Sequence, residues 1–305
     1  MHVRKIPAGQ GMAWFRAAID LGGRNPKAVF GAAVLLIAVL YAIALVVALV
    51  AMTLSRATPG TAPNTAVLLA VAVPLFVGMM VLLPILLGGL MHVIREAEAG
   101  RPVRARDLFA PFRSGRAGAL AALGGLQIVL AILSGLIVVA IAGPNYWQDY
   151  IAFVQGATGG ATPVAPPQPR HPGLLFLMQV AFNYFTYAIM LFSVPLVLFS
   201  GAKLADAVRG SLSASVRNIG ANVLAAALFV LGTIVAAIVV VLLTALANML
   251  GNLLHPAVGT LLSLVWLLTF GAALLVVLAG GAYIAWRDTF DAPPGAPPAF
   301  NGIEA

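Results

Sequence analysis

The sequence predicts an all-α, polytopic membrane helical bundle: six transmembrane helices with interfacial amphipathic helices on the cytoplasmic side. Three observations predict it. Apolar residues make up 62% of the 305 positions and charged residues only 9%, with a mean hydropathy of +1.03. A soluble domain is nearer half apolar and a quarter charged, so this chain could not cover its own surface with polar groups in water. Six apolar runs are long enough to cross a bilayer, and Lys and Arg fall in alternate connections between them.

Crossing the hydrocarbon takes about 20 mostly apolar residues. The runs lie at about 27–53, 66–94, 117–142, 173–201, 219–250 and 258–286, and none has a charge well inside it. Lipid offers no hydrogen bonds to bare backbone, so continuous runs of this length are helices. The alternating pattern of barrel strands is not what the chain shows. The start, "MHVRKIPAGQGMAWFRAAIDLGGRNP", lacks the pattern of a signal peptide, so the first run is expected to stay as a membrane helix. Residues 1–290 thus read as one transmembrane domain.

Charge sets the expected orientation. One side carries Arg4, Lys5, Arg16, Arg24 and Lys27, then Arg95, Arg101, Arg104, Arg106, Arg113 and Arg116, then Lys203, Arg209, Arg217 and Arg287. The other side has Arg56 and Arg170 alone. Fifteen against two places both termini in the cytoplasm. The connection 143–172 is then a periplasmic loop. Its "NYWQDYIAF" is suited to the membrane interface, and its "GATGGATPVAPPQPRHP" reads as a flexible and then extended linker. The tail 291–305, "DAPPGAPPAFNGIEA", reads as disordered.

A threefold pattern precedes the odd-numbered spans. Arg16 and Arg24-Asn25 recur as Arg209 and Arg217-Asn218 with the same spacing. In "LADAVRGSLSASVRNIG" an oily face of Leu204, Val208, Leu212 and Val216 opposes Asp206, Arg209, Ser213 and Arg217, which makes an amphipathic helix. "MAWFRAAID" sets Met12, Phe15 and Ile19 against Arg16 and Asp20. "RDLFAPFRSGR" sets Leu108, Phe109 and Phe112 against Arg113 and Arg116, with Asp107 as a cap. The basic residues recur at Arg24, Arg116 and Arg217, intervals of 92 and 101. The expected unit is an interfacial helix followed by a membrane hairpin. "REAEAGRPVR" reads as a ten-residue insertion in one unit.

Chemistry-bearing residues are sparse. Zero cysteines excludes disulfides, thiolate nucleophiles and Cys-ligated metals. His92 and Glu96 are one turn apart, but the second His and intervening Glu of a helical zinc site are missing. No span holds a central His to activate a serine. The chain is therefore expected to be no enzyme, with no catalytic residue, metal or cofactor. Basic residues interleaved with spans also speak against nucleic acid as a partner.

Two sets of residues carry the candidate contacts. Arg16, Arg24, Arg101, Arg104, Arg106, Arg113, Arg116, Arg209 and Arg217 are placed to meet anionic lipid headgroups or a protein partner on the cytoplasmic face. Topology alone also accounts for that charge. Gln179, Asn183, Thr186 and Ser193 form a polar stripe inside the fourth span. It reads either as a substrate or lipid contact or as hydrogen-bonding glue between helices.

"IPAGQGMAWFRAAIDLGGRNPKAV", "REAEAGRPVRARDLFAPFR" and "SASVRNIGANVLAAALF" resemble an uncharacterised family of six-helix inner-membrane proteins of Gram-negative bacteria. More distantly, the helix-plus-hairpin unit is similar to the membrane domain attached to some glycerophosphodiester phosphodiesterases. The resemblance implies a bacterial inner membrane and no enzymatic role, because the residues that carry it hold nothing of the acidic metal site found in the soluble catalytic domain of those enzymes. Two functions remain open: a non-enzymatic scaffold or accessory protein acting through lipids or partners, and a transporter or lipid-handling protein with a cavity near Gln179, Asn183 and Thr186.

Overall fold

Uninterrupted apolar sequence gives long helices here, and small or polar residues at their ends decide where they stop. A computed structural model describes residues 2–21, 23, 25–56, 65–159 and 165–291. The described residues form α-helices and no strands. The six spans are α2 (Pro26–Arg56), α3 (Thr65–Glu98), α5 (Ala117–Ala142), α7 (Pro172–Phe199), α9 (Ile219–Asn252) and α10 (Pro256–Trp286). All six are long and apolar enough to cross a membrane. Between them come α1 (Gln10–Asp20), α4 (Ala110–Arg113, entered through a 3-10 turn at Ala105–Phe109), α6 (Tyr146–Gly159) and α8 (Leu204–Arg217). Pro74 and Pro84 sit inside α3 and Pro195 inside α7, as membrane spans allow.

Elements α1, α4 and α8 lie at the same end of the bundle, and each precedes an odd-numbered span as the sequence predicts. Each nests in the hairpin before it: α4 and its 3-10 turn against α2 and α3, α8 against α7 and the edge of α5, and α1 against α9 and α10. The last of these closes the series on the first. Close approach is built in at glycine. The Leu108 carbonyl lies where a Cβ on Gly89 would be, and a Cβ on Gly11 would lie 2.8 Å from the Ala225 nitrogen. The intervals of 92 and 101 recur in burial, at Ala28, Leu120 and Ala221 and again at Ala32, Gly124 and Ala225. The threefold pattern is therefore one of packing as well as of charge.

Burial is concentrated at this end. Ala28–Leu36 of α2, Ile85–Ala97 of α3, Ala188–Val197 of α7 and Ala272–Trp286 of α10 supply most of the core. Phe199 lies tilted against Trp286 at 5.1 Å and edge-on to Tyr283 at 6.0 Å between ring centres. Arg95 places its guanidinium 4.7 Å from the Phe199 ring centre. Toward the other end the hairpins separate. Phe185 and Tyr187 are two residues apart, hence on opposite sides of α7, and both are exposed. Around the ring each span packs on its neighbours except at one seam, where α7 and α9 have at most marginal contact.

Several expectations change in detail. The second span runs on to Glu98, so "REAE" is its last turn. It ends in a Schellman turn in which Gly100 takes φ +68° and the Arg101 N–H donates to the Glu96 carbonyl at 2.9 Å. The middle interfacial element is a 3-10 turn plus one helical turn, because Pro111 and Gly115 (φ +70°) confine it. The aromatic part of the 143–172 connection is helical, and α6 continues into Gly156–Gly159, the start of the expected Gly linker. Residues 160–164 of that linker lie outside the described residues, as do 292–305 of the tail expected to be disordered. Asp291, also assigned to that tail, closes a π-turn, Arg287–Asp291.

Candidate functional site at the basic end of the bundle

The two termini of the bundle meet where the interfacial elements gather. The backbone N–H of Arg4 donates to the Thr289 carbonyl at 3.1 Å. Asn218 clasps the same segment from the side: its amide nitrogen donates to the Arg4 carbonyl at 2.9 Å, and its amide oxygen accepts from Ile6 N–H at 2.9 Å. Arg217 donates to the Val3 carbonyl at 3.3 Å. Asp288 is buried beneath, where a bare carboxylate would be costly. It accepts from Trp14 Nε1 at 3.0 Å, Gln10 Nε2 at 3.2 Å and Arg287 at 3.2 Å.

This clasp has counterparts. Asn25, the match of Asn218, holds the segment before the next interfacial element, its amide nitrogen 3.5 Å from the Val103 carbonyl. Arg116 lies over Gly201 in the segment before α8, so near that a Cβ there would sit 2.9 Å from its Nη2. The basic or amide residue at the head of each unit thus contacts the lead-in segment of the next. "GGLMHVIRE" (88–96) and "GGAYIAWRD" (280–288) also share a Gly-Gly pair and an Arg-acid pair at the same spacing. Arg95-Glu96 is therefore no insertion. It has a counterpart in the third unit, and what is short is the middle unit's stretch from Pro195 to Arg217.

The arginines predicted to make contacts occupy one surface. Arg16, Arg101, Arg104, Arg106, Arg113, Arg116, Arg209 and Arg217 are all exposed at this end; Arg24 lies outside the described residues. Arg101 pairs with Glu96, and Arg113 pairs with Asp107 at 2.6 Å. The Asp107 carboxylate also accepts from the Arg104 N–H at 2.9 Å. That backbone bond, with the Arg113 side chain second, holds its pKa below the ordinary carboxylate value.

The interfacial elements dock on the bundle by different residues: small ones in α8, Trp14 among small ones in α1, and Leu108 in the 3-10 turn before α4. In α8 the buried face is Ala207, Gly210, Ser211, Ala214 and Ser215, while Leu212 and Val216 are exposed. In α1 it is Gly11, Trp14 and Ala18, with Ile19 exposed and Phe15 half-buried edge-on to Phe229 at 5.3 Å. In α4 Phe112 is exposed. Each element therefore presents three surfaces: one docked on the bundle, one apolar and free, and one basic.

The polar stripe on α7 is divided. Ser193 is buried against α8, its hydroxyl 2.8 Å from that of Ser211. Gln179 and Thr186 are half-buried and Asn183 is exposed. Tyr184, beside the stripe, donates to the Ser215 carbonyl at 2.8 Å and lies 3.5 Å from Asn222 Nδ2, which ties α7 to the start of α9 below the open seam. A half-open pocket of about 400 Å³ lies elsewhere, between α8 and the N-terminal segment, lined by Val3, Ala202, Asp206, Arg209, Gly210 and Ser213.

These features define a multi-pass α-helical membrane protein with six candidate spans among its described residues. Comparison with protein-family models, with curated proteins and with solved structures returned no match.

The sequence reading missed Asp288, Trp14, Gln10 and Tyr184. Asp288 was accessible: an acid so close to the end of an apolar run requires internal partners. Tyr184 was not, since a tyrosine next to a polar stripe carries no mark of the helix it will touch.

Proposed function

We propose that the protein is a non-enzymatic accessory or scaffold protein of the bacterial inner membrane, both termini cytoplasmic, whose basic end lies in the headgroup layer and gathers anionic lipids. The observation that carries this reading is the pairing of exposed arginine with exposed apolar residues on all three interfacial elements: Arg16 with Ile19, Arg113 with Phe112, and Arg209 and Arg217 with Leu212 and Val216. A helix lying in a headgroup plane needs that combination. Each cytoplasmic arginine near an anionic surface contributes about 1 kcal/mol. The resemblance to six-helix inner-membrane proteins of Gram-negative bacteria agrees with this placement.

The test is binding of amphipol-held protein to vesicles at low salt. Replacing Arg113, Arg116, Arg209 and Arg217 by Gln is expected to abolish the preference for anionic over zwitterionic vesicles. An unchanged preference removes the lipid-gathering role.

Transport or lipid handling is the second reading. The unpacked seam between α7 and α9 favours it, together with the half-buried amide and hydroxyl of Gln179 and Thr186 and the exposed Asn183 on α7. A substrate passing that way should be lost on replacing all three by Ala while the fold is kept.

A further inference from the structure

The pocket between α8 and the N-terminal segment brings together groups that suit one ligand. Asp206 and Arg209, three residues apart on α8, both line it, and both are exposed. Neither takes part in an ion pair among the described residues. Ser213 adds a hydroxyl one turn on from Arg209, and Gly210 keeps the floor between them free of side chain. Arg217 fixes one wall by donating to the Val3 carbonyl. The volume of about 400 Å³ falls within the roughly 300–1,000 Å³ of small-molecule sites.

Beside Arg209 the surface turns apolar. Leu212, Val216, Ile219 and Val223 are all exposed, and they lead from α8 into the first turns of α9, at the helix that stands apart from α7.

We propose that this pocket is a phospholipid headgroup site. Arg209 and Ser213 hold the phosphodiester, Asp206 accepts from a hydroxyl or ammonium on the headgroup, and the acyl chains follow Leu212, Val216, Ile219 and Val223 toward the α7–α9 seam. A guanidinium and a hydroxyl together meet phosphate oxygens as charge-assisted donors. The carboxylate selects headgroups that can donate, so phosphatidylethanolamine and phosphatidylglycerol bind and phosphatidylcholine is disfavoured. The site rests on the lipid-gathering reading and narrows it to one pocket.

Native mass spectrometry of the full-length protein, titrated with each of the three lipids in neutral detergent, tests it. Arg209→Gln is expected to lower retention of phosphatidylglycerol and phosphatidylethanolamine about tenfold, and Arg170→Gln, exposed at the other end of the bundle, to leave it unchanged. Asp206→Asn is expected to narrow the preference over phosphatidylcholine. Val216→Ser is expected to weaken lipid retention, while millimolar phosphoethanolamine fails to displace the lipid. Equal retention by the Arg209→Gln and Arg170→Gln variants overturns the site. Displacement by phosphoethanolamine or inorganic phosphate overturns the lipid assignment in favour of a soluble phosphate ester. If the four-arginine variant loses its vesicle preference while Arg209→Gln retains lipid normally, the general reading stands and this pocket falls. If neither changes, both fall.

Discussion

Trp14 of α1 donates its indole N–H to the Asp288 carboxylate at 3.0 Å, across 274 residues of sequence. Through this bond the first interfacial helix is fixed to the end of the last span, which closes the series of three units on itself. Trp14→Phe removes one donor from a buried charge, and loss of a hydrogen bond to a charged group costs about 1.5–3 kcal/mol. Thermal unfolding in detergent should show that loss. Asp288→Ala should cost more, because it strands Gln10 and Trp14 as well.

Asn218 satisfies two backbone groups of the N-terminal segment at once. Asn218→Ala should free residues 2–7 to proteases that spare them in the wild type. Asn25→Ala should have a smaller effect on residues 101–104, since its matching bond to Val103 is longer at 3.5 Å.

Gly89 is required by the backbone of Leu108, which lies against it, whereas Gly78 on the same helix has nothing within 4 Å of a Cβ. Gly89→Ala should destabilise by about 1–3 kcal/mol through overpacking. Gly78→Ala should be neutral or mildly stabilising in the same melt.

The spans, the three interfacial elements and the repeat could be read from the sequence because each rests on a local pattern. Apolar runs mark the spans, and Arg24, Arg116 and Arg217 mark the repeat. What could not be read is which neighbour each element meets. Leu212 and Val216 were expected on the oily face, and they are apolar and exposed as an interfacial helix requires. Docking fell instead to Ala207, Gly210 and Ser211, whose small size matters only once α7 lies against them. Ser193 looked like part of a transmembrane stripe, and only the nesting of α8 shows that it pairs with Ser211.

Asp107 supplies a pH prediction. Its folded pKa is lowered by the Arg104 N–H and by Arg113. Its stabilisation of the 3-10 turn is thus fully present above the ordinary Asp value of about 3.9 and is lost as pH falls through the lower folded value. The cysteine-free chain allows a nitroxide at Ser114→Cys. Its mobility should rise on acidification below about pH 3.9. The same label in an Asp107→Asn background should be mobile at every pH.

The proposed orientation puts all three interfacial elements on one cytoplasmic face, opposite α6. Single cysteines at Ser114, Ala205 and Tyr150 test it directly with a membrane-impermeant maleimide, applied to intact spheroplasts and then to lysed ones. Tyr150→Cys is expected to label in intact spheroplasts, and Ser114→Cys and Ala205→Cys only after lysis. Labelling of Ser114→Cys or Ala205→Cys in intact spheroplasts, or protection of Tyr150→Cys, would contradict it.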